Sequence, residues 1–228
     1  VTAYTGGEDV TDFTTLDVSG LTASEDTESI DTTEDTEYLK VESGMLNAAT
    51  RDDVTTGSFI VSTYDEDGTP DIMNAAWGGI TEDNEITICL SAEHKTTKNL
   101  QKRGAFTVSM ADEAHVVACD YLGITSANKT PDKVTRSGLH VTKSELVDAP
   151  LIDELALALE CKVISYDPET CRLVGEIVNV SCDESALNEA GKVDPAKVRP
   201  ITFDPFNNTY LALGAAVGRA FHDGLSLK

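Results

Sequence analysis

The chain has 228 residues, with 40 Asp and Glu against 17 Lys and Arg, and a formal net charge of −23. Residues 1–40 hold eleven acids and one base, and the remainder is still net acidic; polyphosphates and anionic bilayers, which are held by Lys and Arg contacts, are therefore excluded, leaving no nucleic acid and no membrane surface as partner. No window approaches the roughly 18 consecutive apolar residues of a membrane span, and five cysteines without a Cys-x-x-Cys pair read as reduced thiols of a cytoplasmic protein.

Residues 1–43 form an acidic, Thr/Asp/Glu-rich N-terminal extension, as in "ASEDTESIDTTEDTE" (23–37), with few large apolar side chains. Composition reads it as a tether that buries too little surface to order itself. The alternative is a strap with footholds at Tyr4, Phe13, Leu16, Val18 and Leu21. An exported or lipid-anchored protein is the second address, if a signal preceded Val1.

The domain proper is expected over 44–228. Its strands begin with "SFIVSTY" (58–64), a tight turn through "DEDGTP" (65–70), then "DIMNAAW" (71–77). "EITICL" (85–90) and "AFTVSM" (105–110) are strands on either side of "HKTTKNLQKRG" (94–104), a helix closed by Gly104. Residues 111–123 have helical spacing at Ala114, Val117, Ala118 and Tyr121, followed by a polar loop over 124–138. "LALALECKVISYD" (155–167) and "CRLVGEIVNVSCD" (171–183) form a long hairpin, and 201–221 offers a strand or two before a Gly/Ala-rich segment. Seven to nine strands and about three helices without βαβ alternation predict a mainly β fold, an antiparallel barrel with peripheral helices.

Chemistry concentrates in two places. Lys95, Lys98, Lys102 and Arg103 fall within ten residues of an otherwise acidic chain, and Ser91, His94, Lys95, Thr96 and Thr97 stand at the head of the expected helix. Free backbone N–H groups, hydroxyls and a lysine there make a phosphate site, whereas Lys102 and Arg103 suit the C-terminal dipole. The second place is "PDIMNAAWGGI" (70–80), where small residues surround Trp77, the single tryptophan, and leave room for a flat ligand; Asn74 is placed to hydrogen-bond a heteroaromatic edge. A nucleophile elbow, a His-Glu-x-x-His zinc motif and a Gly-Lys-Ser/Thr phosphate loop are absent from the sequence, and His115 with Cys119 lacks a second ligand pair.

The blocks "STYDEDGTPDIMNAAWGGI", "HKTTKNL", "CDYLGITSANKTPDKVTRSGL", "ALECKV", "VGEIVNV" and "NTYLALGAAVGRAF", in this order, resemble the flavin-reductase-like FMN-binding split-barrel family, most of all its flavoredoxin branch. The resemblance covers about residues 44–225. It implies a homodimer of Greek-key-like six-stranded split barrels with one FMN per subunit near the dimer interface. By motif position, Met73, Asn74, Ala75, Ala76 and Trp77 would line the isoalloxazine. Ser91, His94, Lys95 and Thr96 would hold the phosphate, Ser126 and Lys133 would close over the cofactor, and Tyr210 would lie near the flavin or the dimer contact. No side-chain nucleophile is required, because the cofactor carries the chemistry.

The implied activity is hydride transfer from NADH or NADPH to the bound flavin. The alternative is an electron-transfer flavoprotein that serves a redox protein without using NAD(P)H; a split barrel without flavin is a third reading. The family usually has Asn at the position of Asp71. An ionised carboxylate near reduced, anionic flavin would be unfavourable by ~1 kcal/mol or more, so Asp71 is expected to turn away or to lower the flavin's reduction potential.

Overall fold

The computed structural model describes residues 56–227. The expectations for the N-terminal extension lie outside them. In chain order come β1 (Thr56–Gly57), β2 (Phe59–Tyr64), β3 (Pro70–Ala75), β4 (Gly78–Glu82), β5 (Glu85–Cys89), α1 (Lys95–Arg103), β6 (Ala105–Met110), α2 (Val116–Ile124) and α3 (Lys133–Ser137). There follow β7 (Val141–Lys143), β8 (Pro150–Ile152), β9 (Leu157–Asp167), β10 (Arg172–Cys182), α4 (Pro195–Val198), β11 (Ile201–Asp204) and β12 (Thr209–Ala212).

The main sheet runs β3-β2-β6-β9-β10-β5-β4, and every neighbouring pair is antiparallel. Its two edge strands, β3 and β4, are separated in the chain by Ala76 and Trp77 alone. Two residues span only about 7 Å, so the sheet must curl until its edges almost meet. Counted as one strand bent at that seam, β3 and β4 make the barrel six-stranded, as expected. Trp77 sits in the bend, where its carbonyl accepts from the Cys89 amide at 2.8 Å.

The curled sheet encloses one apolar core, with Val61, Met73, Ile86, Ile88, Leu90, Phe106, Cys161 and Leu173 all buried; Leu100 of α1 packs against it. A second core lies outside, where Ile60 and Ile72 meet Cys119 and Leu122 of α2, Val134 of α3 and Ile201 of β11. Alternation along β2 and β3 delivers successive side chains to the two cores in turn. A three-stranded sheet β1-β11-β12 and the hairpin β7-β8 complete the described fold.

Two expectations are corrected. The helix expected from 111 begins only at Val116, because Asp112 bridges to Pro200 and its carboxyl accepts from the His115 amide at 2.8 Å, which holds the preceding turn out of the helix. Its buried face is Cys119 and Leu122, whereas Val117 is 80 % exposed. The loop expected over 124–138 contains α3, which closes at Gly138 with φ 80, and α4 appears near Val198. Among the described residues, no helix is long and apolar enough to cross a membrane.

Candidate functional site

Three helices, α1, α2 and α3, pack against β3, so the residues of that strand meet all of them. Helix α1 starts after His94, an extended N-cap residue whose side chain makes no capping hydrogen bond. The amides of Lys95, Thr96 and Thr97 find no acceptor among the described residues, and no acidic side chain lies in the first turn. Such a turn presents unpaired N–H groups at the positive end of the helix dipole. Ser91, His94 and Ser126 are exposed around it. The loop bearing Ser126 is tied to this end of the helix by Asn128, whose side-chain amide donates to the Glu93 carbonyl at 3.2 Å.

The basic side chains of α1 do not stand free as the sequence implied. Lys95 Nζ meets Asp65 Oδ2 at 2.9 Å, and Lys102 pairs with Glu66. Arg103 donates to the carbonyls of Asp65 and Glu66 and to the Asp148 carboxyl. The acidic β2–β3 turn therefore clamps the length of the helix. Hydrogen bonds and charge from Lys95, with the turn amides, outweigh burial and lower the Asp65 pKa.

Asp71 is 2 % exposed. It accepts from Thr96 Oγ1 at 2.8 Å and Asn99 Nδ2 at 3.3 Å, and Lys133 Nζ lies 3.6 Å from its other oxygen. Lys133 was expected to close over a ligand. It is instead 3 % exposed, and its ammonium donates to the carbonyls of Leu122 at 3.2 Å and Thr125 at 2.9 Å. Burial lowers the Lys133 pKa, Asp71 opposes the shift, and Lys95 adds to it. Thr96 likewise directs its hydroxyl inward to Asp71, so its amide is the group left for a ligand. Partial desolvation by its neighbours and the Lys133 charge hold the His94 imidazole below its ordinary pKa, with Asp71 opposing them.

Towards the other end of β3, Met73 and Ala75 point into the barrel core, and Asn74 and Ala76 are half-buried. The Trp77 ring meets Phe203 edge-on at 6.5 Å, and Phe203 meets Tyr210 at 5.9 Å. Tyr210 donates its hydroxyl to Asp120 Oδ1 at 2.9 Å and accepts from Asn74 Nδ2 at 3.2 Å. Gly123 permits this approach of α2: a Cβ there would lie 3.1 Å from Asn74 Cβ. Burial and the bond to Asp120 raise the Tyr210 pKa.

The structure thus brings Asn74, Trp77 and Tyr210 together at one end of β3. Thr96 and Lys133 meet Asp71 at the other, where Ser91, His94 and Ser126 stand around the first turn of α1, with Lys95 turned to Asp65. At roughly 3.3 Å per residue, the strand separates Asp71 from Ala75 by about 13 Å, enough to seat an anionic group and a planar ring of one extended ligand. Sequence reasoning missed Asp120, Phe203 and Asn128. Asp120 lies inside the "CDYLGITS" block, where apolar helical spacing carries no sign of its bond to Tyr210.

The family model for the flavin reductase like domain matches residues 51–202. Among solved structures, flavoredoxin of Desulfovibrio vulgaris (Miyazaki F) is similar at 39 % identity and a TM-score of 0.71, covering 75 % of this chain and 93 % of that one. Flavoredoxin from Methanosarcina acetivorans is similar at 25 % identity and a TM-score of 0.70, covering 76 % of this chain and 93 % of its own. A curated relative, an uncharacterised protein of Aquifex aeolicus, is 26 % identical over 152 residues, 62 % of this chain and 76 % of that protein.

Proposed function

The chain belongs to the flavin reductase like domain family, and from that premise we propose that it binds FMN and works as an oxidoreductase, taking hydride from NADH or NADPH and passing electrons onward. The observation that carries the reading is the open first turn of α1, three unpaired amides with no acidic side chain, at one end of a strand whose other end is lined by small residues and Trp77. These groups fit a phosphomonoester and a flat ring. A net acidic chain needs such a local device to hold an anion at all.

The amides of Lys95, Thr96 and Thr97 would hold the phosphate, with the hydroxyls of Ser91 and Ser126 and the His94 imidazole around it. Lys133 contributes positive charge from behind, partly neutralised by Asp71. Ala76, Trp77 and the backbone at Ala75 would border the ring, and Asn74 would offer its amide to the heteroaromatic edge. When bound, the flavin supplies the hydride-accepting centre; the residues bind, orient and shield it.

A second copy of the chain is part of this reading. Beyond β12, Leu213, Val217, Phe221 and Leu225 are all exposed along an arm without helix or strand until a 3-10 turn at Asp223–Leu227. Apolar side chains in such a row call for a covering surface.

Mixing the FMN-loaded protein anaerobically with NADH and with NADPH tests the donor. Bleaching of the flavin absorption by either supports the reading. Reduction by a redox protein alone would select the electron-transfer alternative, which the acidic character of the chain favours through steering of a basic partner.

A further inference from the structure

We propose that Asp120 and Tyr210 are positioning residues that fix which end of the Asn74 amide faces the bound ring. The inference rests on the flavin reading above and concerns residues of this chain alone. A phenol has one proton, and a carboxylate beside it only accepts. At 2.9 Å from Asp120 Oδ1, the Tyr210 proton is committed to that carboxylate. The phenol oxygen can then only accept, so the group of Asn74 lying 3.2 Å away is its NH2. The orientation of the amide follows from this chain of donors and acceptors.

The amide carbonyl of Asn74 is consequently the end turned away from Tyr210, left as an acceptor of fixed identity. The chemistry it matches is an N–H on the edge of a planar heterocycle. The side chain has little freedom to do otherwise. Gly123 of α2 lies against its Cβ, and Phe203 packs on the Tyr210 ring and holds it in place. The raised Tyr210 pKa agrees with a phenol buried against a carboxylate. Residues from three separate elements, α2, β3 and β12, meet in this chain of bonds, which a purely local capping role would not require.

The test compares Tyr210→Phe, Asp120→Ala, Asp120→Asn and Asn74→Ala by FMN titration, with side-chain amide exchange of Asn74 followed by NMR in flavin-free protein. Losing the directing bond is expected to weaken FMN binding roughly five- to tenfold in Tyr210→Phe and in Asp120→Ala. Asp120→Asn keeps the volume but can present its own NH2 to the phenol, so it too releases the Tyr210 proton and should weaken binding. In flavin-free Tyr210→Phe the Asn74 amide protons should exchange faster than in the parent. The proposal is overturned if Asn74→Ala weakens binding while Tyr210→Phe and Asp120→Ala do not, if Asp120→Asn binds as tightly as the parent, or if Asn74 exchange is unchanged. Failure of the parent protein to bind FMN would overturn the flavin reading instead. The exchange experiment would then still decide whether Tyr210 orders Asn74.

Discussion

Asp71 and Lys133 face each other at 3.6 Å beneath the start of α1, each almost wholly buried. The pair joins β3 to α3, and through Thr96 and Asn99 it also fixes α1. A carboxylate that looked hazardous near a reduced ring is in this way a structural anchor for the helix end that we assign to phosphate.

Removing one partner of a buried pair leaves an uncompensated charge, so Asp71→Ala should lower stability by about 3–5 kcal/mol in denaturant unfolding. Asp71→Asn keeps hydrogen-bonding capacity towards Thr96 and Asn99 and should lose less. Equal losses in the two variants would show that the bonds to Thr96 and Asn99 carry none of the effect and the Lys133 charge all of it.

The strands were largely legible in advance because their signals are local. "AFTVSM" is β6 to the residue, and the long hairpin falls within two residues of β9 and β10. The site was legible only in outline. Sequence shows that Lys95, Thr96 and Lys133 have the right chemistry for an anion, yet it does not show that Asp65 and Asp71 compete for them. Those partners come from the β2–β3 turn and from β3, brought to α1 by packing. The start of α2 was misread for a similar reason: Asp112 is held by Pro200, some ninety residues away, and helical spacing of apolar residues carries no trace of that contact.

Reversing the charge at the mouth of the phosphate site should separate FMN from riboflavin. Lys95→Glu places an acid in the first turn of α1, against the helix dipole, and also frees Asp65. We expect FMN affinity to fall by about tenfold or more, with riboflavin affinity little changed. Parallel fluorescence titrations read both. Equal losses for the two ligands would mean that the α1 terminus does not hold the phosphate.

His94 gives the site a pH dependence. Its pKa lies below the ordinary imidazole value because of partial desolvation and Lys133. A bound phosphate would raise it, so FMN binding takes up a proton, and affinity should strengthen as pH falls from about 7 until protonation of the phosphate, at pH ~6, offsets the gain. In flavin-free protein the unfolded chain binds that proton first. Acidification from the ordinary value down to the folded one therefore removes stability. His94→Gln should flatten both profiles, and an unchanged affinity profile would place the proton elsewhere.

The exposed arm yields a prediction about assembly. Truncation after Ala212 removes Leu213, Val217, Phe221 and Leu225 and leaves the main sheet intact. Light scattering should show the full chain as a dimer and the truncated one shifted towards monomer. A full chain that is monomeric at every concentration would end the second-copy reading.

The central claim is that this fold holds one FMN with its phosphate on the first turn of α1. Titrating flavin-free protein with FMN and following flavin fluorescence measures it directly. The account predicts saturation at one FMN per chain with a dissociation constant on the order of 1 μM or tighter, and weaker binding of riboflavin. No saturable binding, or binding that ignores the phosphate, would contradict it.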